Sequence, residues 1–253
     1  MARSKNLGDV LHYFIPEDEQ SAARERAAAS ESEPASHPAE GPAPRVCVAT
    51  GPERLLWCAL ALELAGTLAV ERGSARVEAS FVPSPLLPIV PGVRVSSGER
   101  GPAELAAAIA AGELEEPVVA LERPERLAQL LASPARTFLD EILVPVDASA
   151  GGVARALRVL REIAPALSGA RVLAWLVGAR SAAEAGELGE RLAAAARRQH
   201  GLEVEVAPAL PSDPQLFRAL LRGESVHVSD DGPSAGAREL RALSRRLALG
   251  RAA

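Results

Sequence analysis

The alternation of short apolar runs with longer helical patterns, from Arg45 to Leu249, is the feature of this sequence that most restricts its fold. Several runs are apolar throughout, as expected of strands that are covered on both faces. Because strands and helices take turns along the chain, successive strands can lie parallel with a helix crossing between them. The predicted strands are Arg45–Thr50, Arg76–Val82, Pro117–Leu121, Glu141–Val146, Ala170–Val177 and Leu202–Val206.

Apolar residues recur at helical spacing in the stretches between these strands and after the last of them. The predicted helices are Arg54–Glu71, Pro102–Ala111, Pro124–Leu131, Gly152–Ile163, Ala182–Gln199, Pro214–Leu221 and Gly236–Leu249. We therefore predict a three-layer α/β fold, in which a doubly wound, mostly parallel sheet of about six to seven strands lies between two layers of helices.

The residues before Arg45 differ in character from the rest of the chain. Residues 21–44 are mostly Ala, Ser, Glu and Pro, which bury too little apolar surface to offset the entropy of ordering, so we predict a disordered linker. Residues 1–20 carry an apolar stripe that predicts a short amphipathic helix able to dock on a partner protein. Its apolar residues are Leu7, Val10, Leu11, Phe14 and Ile15. The α/β domain then spans residues 45–253.

Composition narrows the classes of function. The chain has 253 residues, a formal net charge of −5 and an apolar content of 48%, so we expect a large core and no general attraction to nucleic acid. The start of the sequence lacks the pattern of a secretion signal, and the longest apolar stretch, Leu55–Val70, contains Glu63 and is too short to span a bilayer. We expect a cytoplasmic protein.

Cysteine and histidine spacing gives no sign of a metal site. Cys47 and Cys58 show no CxxC spacing and fall in a predicted strand and helix, so we interpret both as core residues. The four histidines also lack metal-ligand spacing, and we expect neither a metal nor another cofactor. They are His12, His37, His200 and His227.

The turn between the first predicted strand and helix is where an α/β protein would place a phosphate-binding loop. Its sequence is Thr50-Gly51-Pro52-Glu53-Arg54, whereas a P-loop needs several glycines, a lysine and a Ser or Thr. The only lysine of the chain is Lys5. Thr50 and Glu53 have capping-box spacing, and Pro52 removes an amide donor, so we predict a degenerate phosphate site. An unusual phosphate loop that uses Arg54 is the alternative.

Glu122 and the last predicted helix are two further candidate sites. Glu122, at the end of the third predicted strand, could orient the water molecules of a bound metal ion, but a surface ion pair with Arg123 is the simpler interpretation. The last predicted helix combines arginines with a leucine stripe, which suits either packing on the sheet or contact with a membrane surface, and we favour packing. The leucines are Leu240, Leu243 and Leu247, and the arginines are Arg238, Arg241, Arg245, Arg246 and Arg251.

Two segments in the carboxyl half resemble the MinD/ParA family. Leu143 to Ser149, followed by the helix Gly152–Ile163, is similar to the family's strand of the "VLVPVDAS" kind. Pro208 to Pro214, with the stretch from Leu216 to Val226, looks like its "P-x-D … A-x-x-x-G-x-x-V" segment. The resemblance implies a P-loop NTPase-like fold and a relation to dimerising ATPases that position division sites, flagella or plasmids. It also implies that Pro211 and Asp213 lie near an adenine.

The departures from the family pattern concern its active site. The family's KGGxGK(T/S) loop supplies two lysines that are absent from Thr50–Arg54, and Val82-Pro83-Ser84 and Glu122-Arg123-Pro124 stand where the family carries aspartates. The resemblance thus predicts a pseudo-ATPase, with Glu122, Pro211 and Asp213 as a remnant nucleotide pocket.

Our first hypothesis is a non-catalytic adaptor or regulator that binds a partner through its N-terminal helix and pairs with itself or with a related ATPase. The second is an ATPase or nucleotide sensor in which Arg54, Glu122 and Asp213 converge on a non-standard site, with ATP and magnesium bound. The third is a membrane-surface positioning protein that works through its C-terminal helix.

Overall fold

The computed structural model describes residues 43, 45–49, 55–79, 90–97, 104, 107–108, 111, 113–132, 139–149, 151–167, 170–222, 225 and 235–249. Eight strands are found in this part of the chain: β1 (Arg45–Ala49), β2 (Ala75–Ala79), β3 (Val93–Ser97), β4 (Val118–Glu122), β5 (Glu141–Asp147), β6 (Arg171–Ala179), β7 (Glu205–Val206) and β8 (Leu210–Pro211). The α-helices are α1 (Leu55–Arg72), α2 (Pro124–Leu131), α3 (Gly152–Ile163), α4 (Ala182–His200), α5 (Pro214–Leu221) and α6 (Ala235–Leu249).

The strands form one sheet in the order β3-β2-β4-β1-β5-β6-β7, and β8 pairs with β6 beyond the end of β7. Every described strand pair is parallel. The first strand therefore occupies the centre of the sheet, between β4 and β5. The carboxyl ends of parallel strands meet at one edge, which is the edge where ligands of such sheets bind.

Alternation along the strands divides the core into two apolar layers. In β1, Val46 and Val48 face the layer that contains α1, α5 and α6, whereas Cys47 and Ala49 face the layer that contains α2, α3 and α4. Both layers are built mainly from buried Val, Leu and Ala, and Ile142 and Ile163 lie in the second. The division follows because successive strand residues point to opposite faces. Helices thus cover both faces of the sheet, as the apolar runs predicted.

Helix α1 is buried over most of its length. Its residues from Trp57 to Ala69 are all buried, because the helix packs on the sheet and is covered by α5 and α6. Two carboxylates on this helix accept hydrogen bonds from later parts of the chain: Glu63 from Ser225 at 3.2 Å, and Glu71 from Ser244 at 2.9 Å. These contacts hold the last part of the chain to α1.

The last helix packs on the domain through its leucine stripe. Leu240, Leu243 and Leu247 are all buried within the layer that contains α1. The prediction that this stripe packs against the sheet layer is confirmed. The arginines of the same helix that are described lie outside the stripe, and Arg246 donates to the carbonyl oxygen of Val206 at 2.6 Å.

The sequence-based element boundaries are close to those observed, with three differences. The bounds of α2, α3 and α5 are those predicted. Strand β7 is two residues long, because Leu202 to Val204 lead from the left-handed cap at Gly201 to the sheet. Strand β3 was not predicted, since an edge strand needs few apolar residues, and Val95 is half exposed. Strand β8 was not predicted because it contains Pro211.

Several predictions fall outside the described residues or only partly within them. The N-terminal docking helix and the linker lie outside, as do Thr50 to Arg54. Most of the predicted helix Pro102–Ala111 is also outside, although Glu104, Ala107 and Ala108 are helical.

Candidate functional site

A cleft of about 460 Å³ opens at the carboxyl edge of the sheet, beside the start of α1. It lies where the ends of β5 and β6 meet the first turns of α1, α4 and α5. This is the region in which a doubly wound sheet binds its ligands. We call it the strand-end cleft, and its lining residues are Leu56, Trp57, Asp147, Ala148, Ser149, Val177, Gly178, Arg180, Glu184 and Phe217.

One polar wall of the strand-end cleft is formed where β5 ends and α3 begins. Asp147, the last residue of β5, accepts hydrogen bonds from the amide and the hydroxyl of Ser149. Arg155, in the first turns of α3, donates to Asp147 Oδ2 at 2.5 Å and to Ser149 Oγ at 2.8 Å. The three side chains form a closed network in which the carboxylate already has its donors.

This network shifts the ionisation of Asp147. Partial burial tends to raise the pKa of Asp147, but the hydrogen bonds from Ser149 and Arg155 outweigh it and hold the pKa below its ordinary value. The carboxylate is therefore ionised at neutral pH and paired with a guanidinium. A paired carboxylate of this kind positions Arg155 and is a poor general base.

The approach of α3 to β5 depends on a glycine. A Cβ at Gly152 would lie 1.8 Å from the main-chain oxygen of Asp147, far inside van der Waals contact. Gly152 also donates its amide hydrogen to the carbonyl oxygen of Ser149 at 2.9 Å, which closes the turn. No side chain larger than hydrogen fits at this position without moving the end of β5, so the glycine fixes the shape of this wall.

The opposite wall is the start of α4. Ser181 caps this helix by accepting a hydrogen bond from the amide of Glu184, and Glu184 accepts one from the amide of Arg180 at 2.6 Å. The Arg180 guanidinium also pairs with the Glu184 carboxylate at 2.8 Å. These hydrogen bonds lower the pKa of Glu184. The arrangement resembles a capping box, except that Glu184 accepts from the amide of the residue before the cap, and it serves the helix itself.

The floor of the strand-end cleft is apolar. Leu56 and Trp57 come from the first turn of α1, Val177 from β6 and Phe217 from α5. Trp57 is 6% exposed and belongs to the core layer of α1, and Trp175 is 1% exposed, so both tryptophans fill core space as predicted. The cleft thus joins an apolar floor to two polar walls whose ion pairs are each complete.

The structure separates the residues that were predicted to form a remnant nucleotide pocket. Glu122 ends β4, whereas Pro211 and Asp213 follow β8, and strands β1, β5 and β6 lie between β4 and β8. Four strand spacings place these ends roughly 19 Å apart. Glu122 and Asp213 therefore do not converge, contrary to the second hypothesis, and neither they nor Pro211 line the strand-end cleft. Arg54 lies outside the described residues.

Asp213 was expected near an adenine and Glu122 at the surface, and the structure places both differently. Asp213 caps α5, because its Oδ1 accepts from the amides of Gln215 and Leu216 and its Oδ2 from the amide of Gly236. These backbone bonds define a structural role. Glu122 is only 5% exposed, so the expectation that it lies at the surface is wrong. It pairs with Ala49 of the central strand β1.

Sequence reasoning missed most residues that line the strand-end cleft or hold its walls in place. Asp147 and Ser149 belong to the segment that resembles the family motif, and their position at the end of a predicted strand could have indicated a site. Ser181 and Glu184 are three residues apart, a spacing that could have predicted a helix cap. Arg155, Arg180 and Phe217 carry no sequence signal, because their role depends on which strand ends become neighbours.

Other candidate sites are structural. Cys47 and Cys58 are both buried core residues, as predicted, and they lie in opposite core layers. Within the described residues, His, Cys, Asp and Glu form no group of three that could hold a metal ion. None of the described helices combines the length and the apolar character that crossing a membrane requires.

The parallel sheet, the two helical layers and the central first strand define a P-loop NTPase-like α/β fold. Solved structures that share it include MinD and a ParA family ATPase. The MinC:MinD cell division protein complex from Aquifex aeolicus matches at a TM-score of 0.55 and 12% identity, over 81% of this chain and 95% of that one. A ParA family ATPase from Chlorobium tepidum TLS matches at a TM-score of 0.55 and 12% sequence identity, over 81% of this chain and 99% of that one.

The MinD cell division protein of Aquifex aeolicus matches at a TM-score of 0.54 and 14% identity, over 81% of this chain and 97% of that chain. At this level of identity the likeness establishes the fold. No protein-family model matches the chain, and no curated protein matches its sequence. The fold expected from the sequence resemblance is thus confirmed.

Proposed function

We propose that this chain is a non-catalytic protein with the MinD/ParA fold, a pseudo-ATPase that acts as an adaptor or regulator in cellular positioning or assembly. It does so through protein–protein contacts. The observation that carries the proposal is the chemistry around the start of α1, where an ATPase of this fold would hold its phosphates.

The connection from β1 to α1 supports this proposal by its length and composition. Between Ala49 and Leu55 the chain has five residues, Thr50-Gly51-Pro52-Glu53-Arg54, with one glycine and no lysine. An ATP phosphate chain needs several backbone amides and a lysine ammonium group at this point. Pro52 has no amide hydrogen, and Glu53 adds negative charge where the phosphates would be bound.

The strand-end cleft supports the same conclusion from the other side of α1. Its described lining carries two carboxylates, Asp147 and Glu184, and one guanidinium, Arg180. Glu184 is paired with Arg180, and Asp147 is paired with Arg155, which is not a lining residue. The lining thus offers no uncompensated positive charge, whereas binding of a triphosphate with magnesium requires it. Breaking either pair to bind a phosphate would leave a carboxylate facing the ligand.

We further propose that the partner is a protein bound through the apolar stripe of the N-terminal segment, as helix-in-groove docking would allow. The stripe consists of Leu7, Val10, Leu11, Phe14 and Ile15. A structure of this fold has been solved as a MinC:MinD complex, which supports the idea that the fold serves protein contacts. Pairing with itself or with a related ATPase is a further element of the proposal.

The membrane-surface hypothesis receives less support. It requires the leucine stripe of α6 to be available to lipid, but Leu240, Leu243 and Leu247 are buried against the domain.

Calorimetric titration with ATP and magnesium, together with a hydrolysis assay, tests the loss of catalysis. We expect no saturable binding below the millimolar range, because each missing charge-assisted contact removes about 1.5–3 kcal/mol. A ParA family ATPase is the positive control. A low-micromolar dissociation constant with magnesium-dependent hydrolysis would refute the proposal.

A pull-down tests the partner contact. Full-length protein is compared with a Leu11→Asp/Phe14→Asp variant, and Glu17→Gln/Glu19→Gln is the matched control that changes charge outside the stripe. We expect the first variant to lose partners that the control retains. Equal partner recovery by all three would show that the apolar stripe is not the docking surface.

A further inference from the structure

A second cleft, of about 280 Å³, lies between α3 and α4, away from the strand-end cleft. Both helices run back from the carboxyl edge of the sheet, so the last turns of each lie toward the opposite edge from Asp147. We call it the α3–α4 cleft. Its lining residues are Ala154, Leu157, Arg158, Arg161, Gln199 and His200.

The charged side chains that line the α3–α4 cleft are the guanidiniums of Arg158 and Arg161. Arg158 and Arg161 are exposed, and neither takes part in an ion pair within the described part of the chain. The described lining includes no carboxylate. Arg155, one turn earlier on the same helix, is by contrast paired with Asp147. Gln199 and His200 add amide and imidazole donors from α4.

The two neighbouring guanidiniums repel each other and so destabilise the unliganded protein slightly. Arg158 and Arg161 are three residues apart on one helix, where like charges repel by about 0.2–0.5 kcal/mol. Arg161 lies in the last turn of α3, where a positive charge interacts favourably with the helix dipole. This interaction explains why an arginine occupies position 161. His200 lies in the last turn of α4, where the same explanation applies. Helix stability does not explain why Arg158 and Gln199 border the same concave space.

We propose that the α3–α4 cleft is a binding site for a small phosphate monoester. Guanidinium groups present planar, forked donors that match phosphate oxygens, and two of them with Gln199 and His200 supply the donors that a dianion needs. Ala154 and Leu157 give the cleft an apolar side that a short carbon substituent would contact. A volume of about 280 Å³ suits a ligand smaller than a nucleotide. The proposal is independent of the loss of ATP hydrolysis.

The test uses the full chain and follows amide NMR signals during titration with glycerol 3-phosphate. We expect saturable shifts at Leu157–Arg161 and Gln199–His200 in the parent protein. Arg158→Gln/Arg161→Gln should weaken binding about tenfold or more, since each charge-assisted contact is worth at least that factor. Arg158→Lys/Arg161→Lys should give an intermediate loss, because it keeps the charge and removes the fork.

Arg191→Gln/Arg198→Gln is the matched control, since both arginines are exposed on α4 and neither lines the cleft. We expect it to bind as the parent does. Equal weakening in the control would show general charge attraction and overturn the proposal, as would the absence of localised shifts in the parent. The unfolding midpoint of each variant establishes that the fold is kept.

Two further arms identify the source of the phosphate. Phosphatidylcholine vesicles containing phosphatidic acid present the same monoester as a lipid headgroup. Binding of soluble glycerol 3-phosphate without vesicle sedimentation assigns a soluble ligand, whereas sedimentation that depends on Arg158 and Arg161 assigns a headgroup. Either result supports the site, and failure of both arms overturns it.

Discussion

Asp213 and Gly236 are joined by a hydrogen bond, in which the Gly236 amide donates to Asp213 Oδ2 at 3.0 Å. The same carboxylate caps α5 with its other oxygen. One side chain therefore fixes the start of α5 and the start of α6, although the two helices begin 21 residues apart in the chain. A residue that sequence resemblance placed near an adenine thus supports the packing of two helices.

We predict that Asp213→Ala destabilises the protein by about 2–4 kcal/mol, since it removes a helix cap and leaves the buried Gly236 amide without this acceptor. Asp213→Asn should cost less, because it keeps one acceptor oxygen. Urea unfolding measures both changes, and Ser212→Ala, an exposed neighbour, is the control. A stability change in Asp213→Ala as small as in the control would show that the bond to Gly236 contributes little.

Gly152→Ala should destabilise the protein by about 2 kcal/mol or more, because the added Cβ would overlap the Asp147 carbonyl oxygen. Gly186→Ala is the matched control: it also lies in a helix, but nothing lies within 4 Å of its Cβ position. The control should be stabilised by about 0.5–1 kcal/mol through helix propensity. Thermal unfolding of both variants tests the contrast, and equal behaviour would contradict the tight approach of α3 to β5.

Two carboxylates should respond to pH in opposite directions. Burial tends to raise the pKa of Glu116, but hydrogen bonds from Arg76 and Arg94 outweigh it, so its pKa is lowered. Its stabilisation is present above the unfolded pKa of about 4.3 and is lost as pH falls through the lower folded pKa. Glu116→Gln should lower the free energy of unfolding by about 1–3 kcal/mol at neutral pH. The difference between variant and parent should shrink as pH falls from the unfolded pKa through the lower folded pKa, which unfolding curves at several pH values measure.

Burial raises the pKa of Glu141 despite its pairing with Arg171. A raised pKa favours the folded state at acid pH, and that contribution is lost as pH rises through the folded pKa. Glu141→Gln should therefore be at least as stable as the parent at neutral pH, while Arg171 keeps its contact with Glu205. Unfolding curves at several pH values test this, and a large loss at neutral pH would show that attraction to Arg171 outweighs burial.

Leu243→Ala should destabilise the protein by about 2–5 kcal/mol, because this side chain is fully buried between α6 and α1. Arg241→Ala, on the exposed side of the same helix, is the control and should change stability by less than about 0.5 kcal/mol. Denaturant unfolding in the absence of lipid measures both. Full stability of Leu243→Ala would mean that the leucine stripe is not packed in solution and would reopen the membrane hypothesis.

The sequence by itself determined the class of fold. Runs such as Leu143 to Val146 are apolar throughout because both faces of the strand are covered, and the helical spacing of Gly152–Ile163 and Pro214–Leu221 follows from one buried face on each. These are local periodicities, so they can be read without knowing which elements are neighbours. The edge strand Val93–Ser97 was not predicted, because it pairs with one strand only and its partly exposed residues form no apolar run.

Only the tertiary structure decided which residues share a site. Glu122 and Asp213 both follow strands, but strand order places three strands between them. Arg155 and Asp147 become partners because α3 folds back on the end of β5 at Gly152. Periodicity specifies which face of a helix or strand is buried, whereas long-range packing sets the order of strands in the sheet. The polar walls of both clefts therefore depend on contacts that cannot be read from the spacing of residues in the sequence.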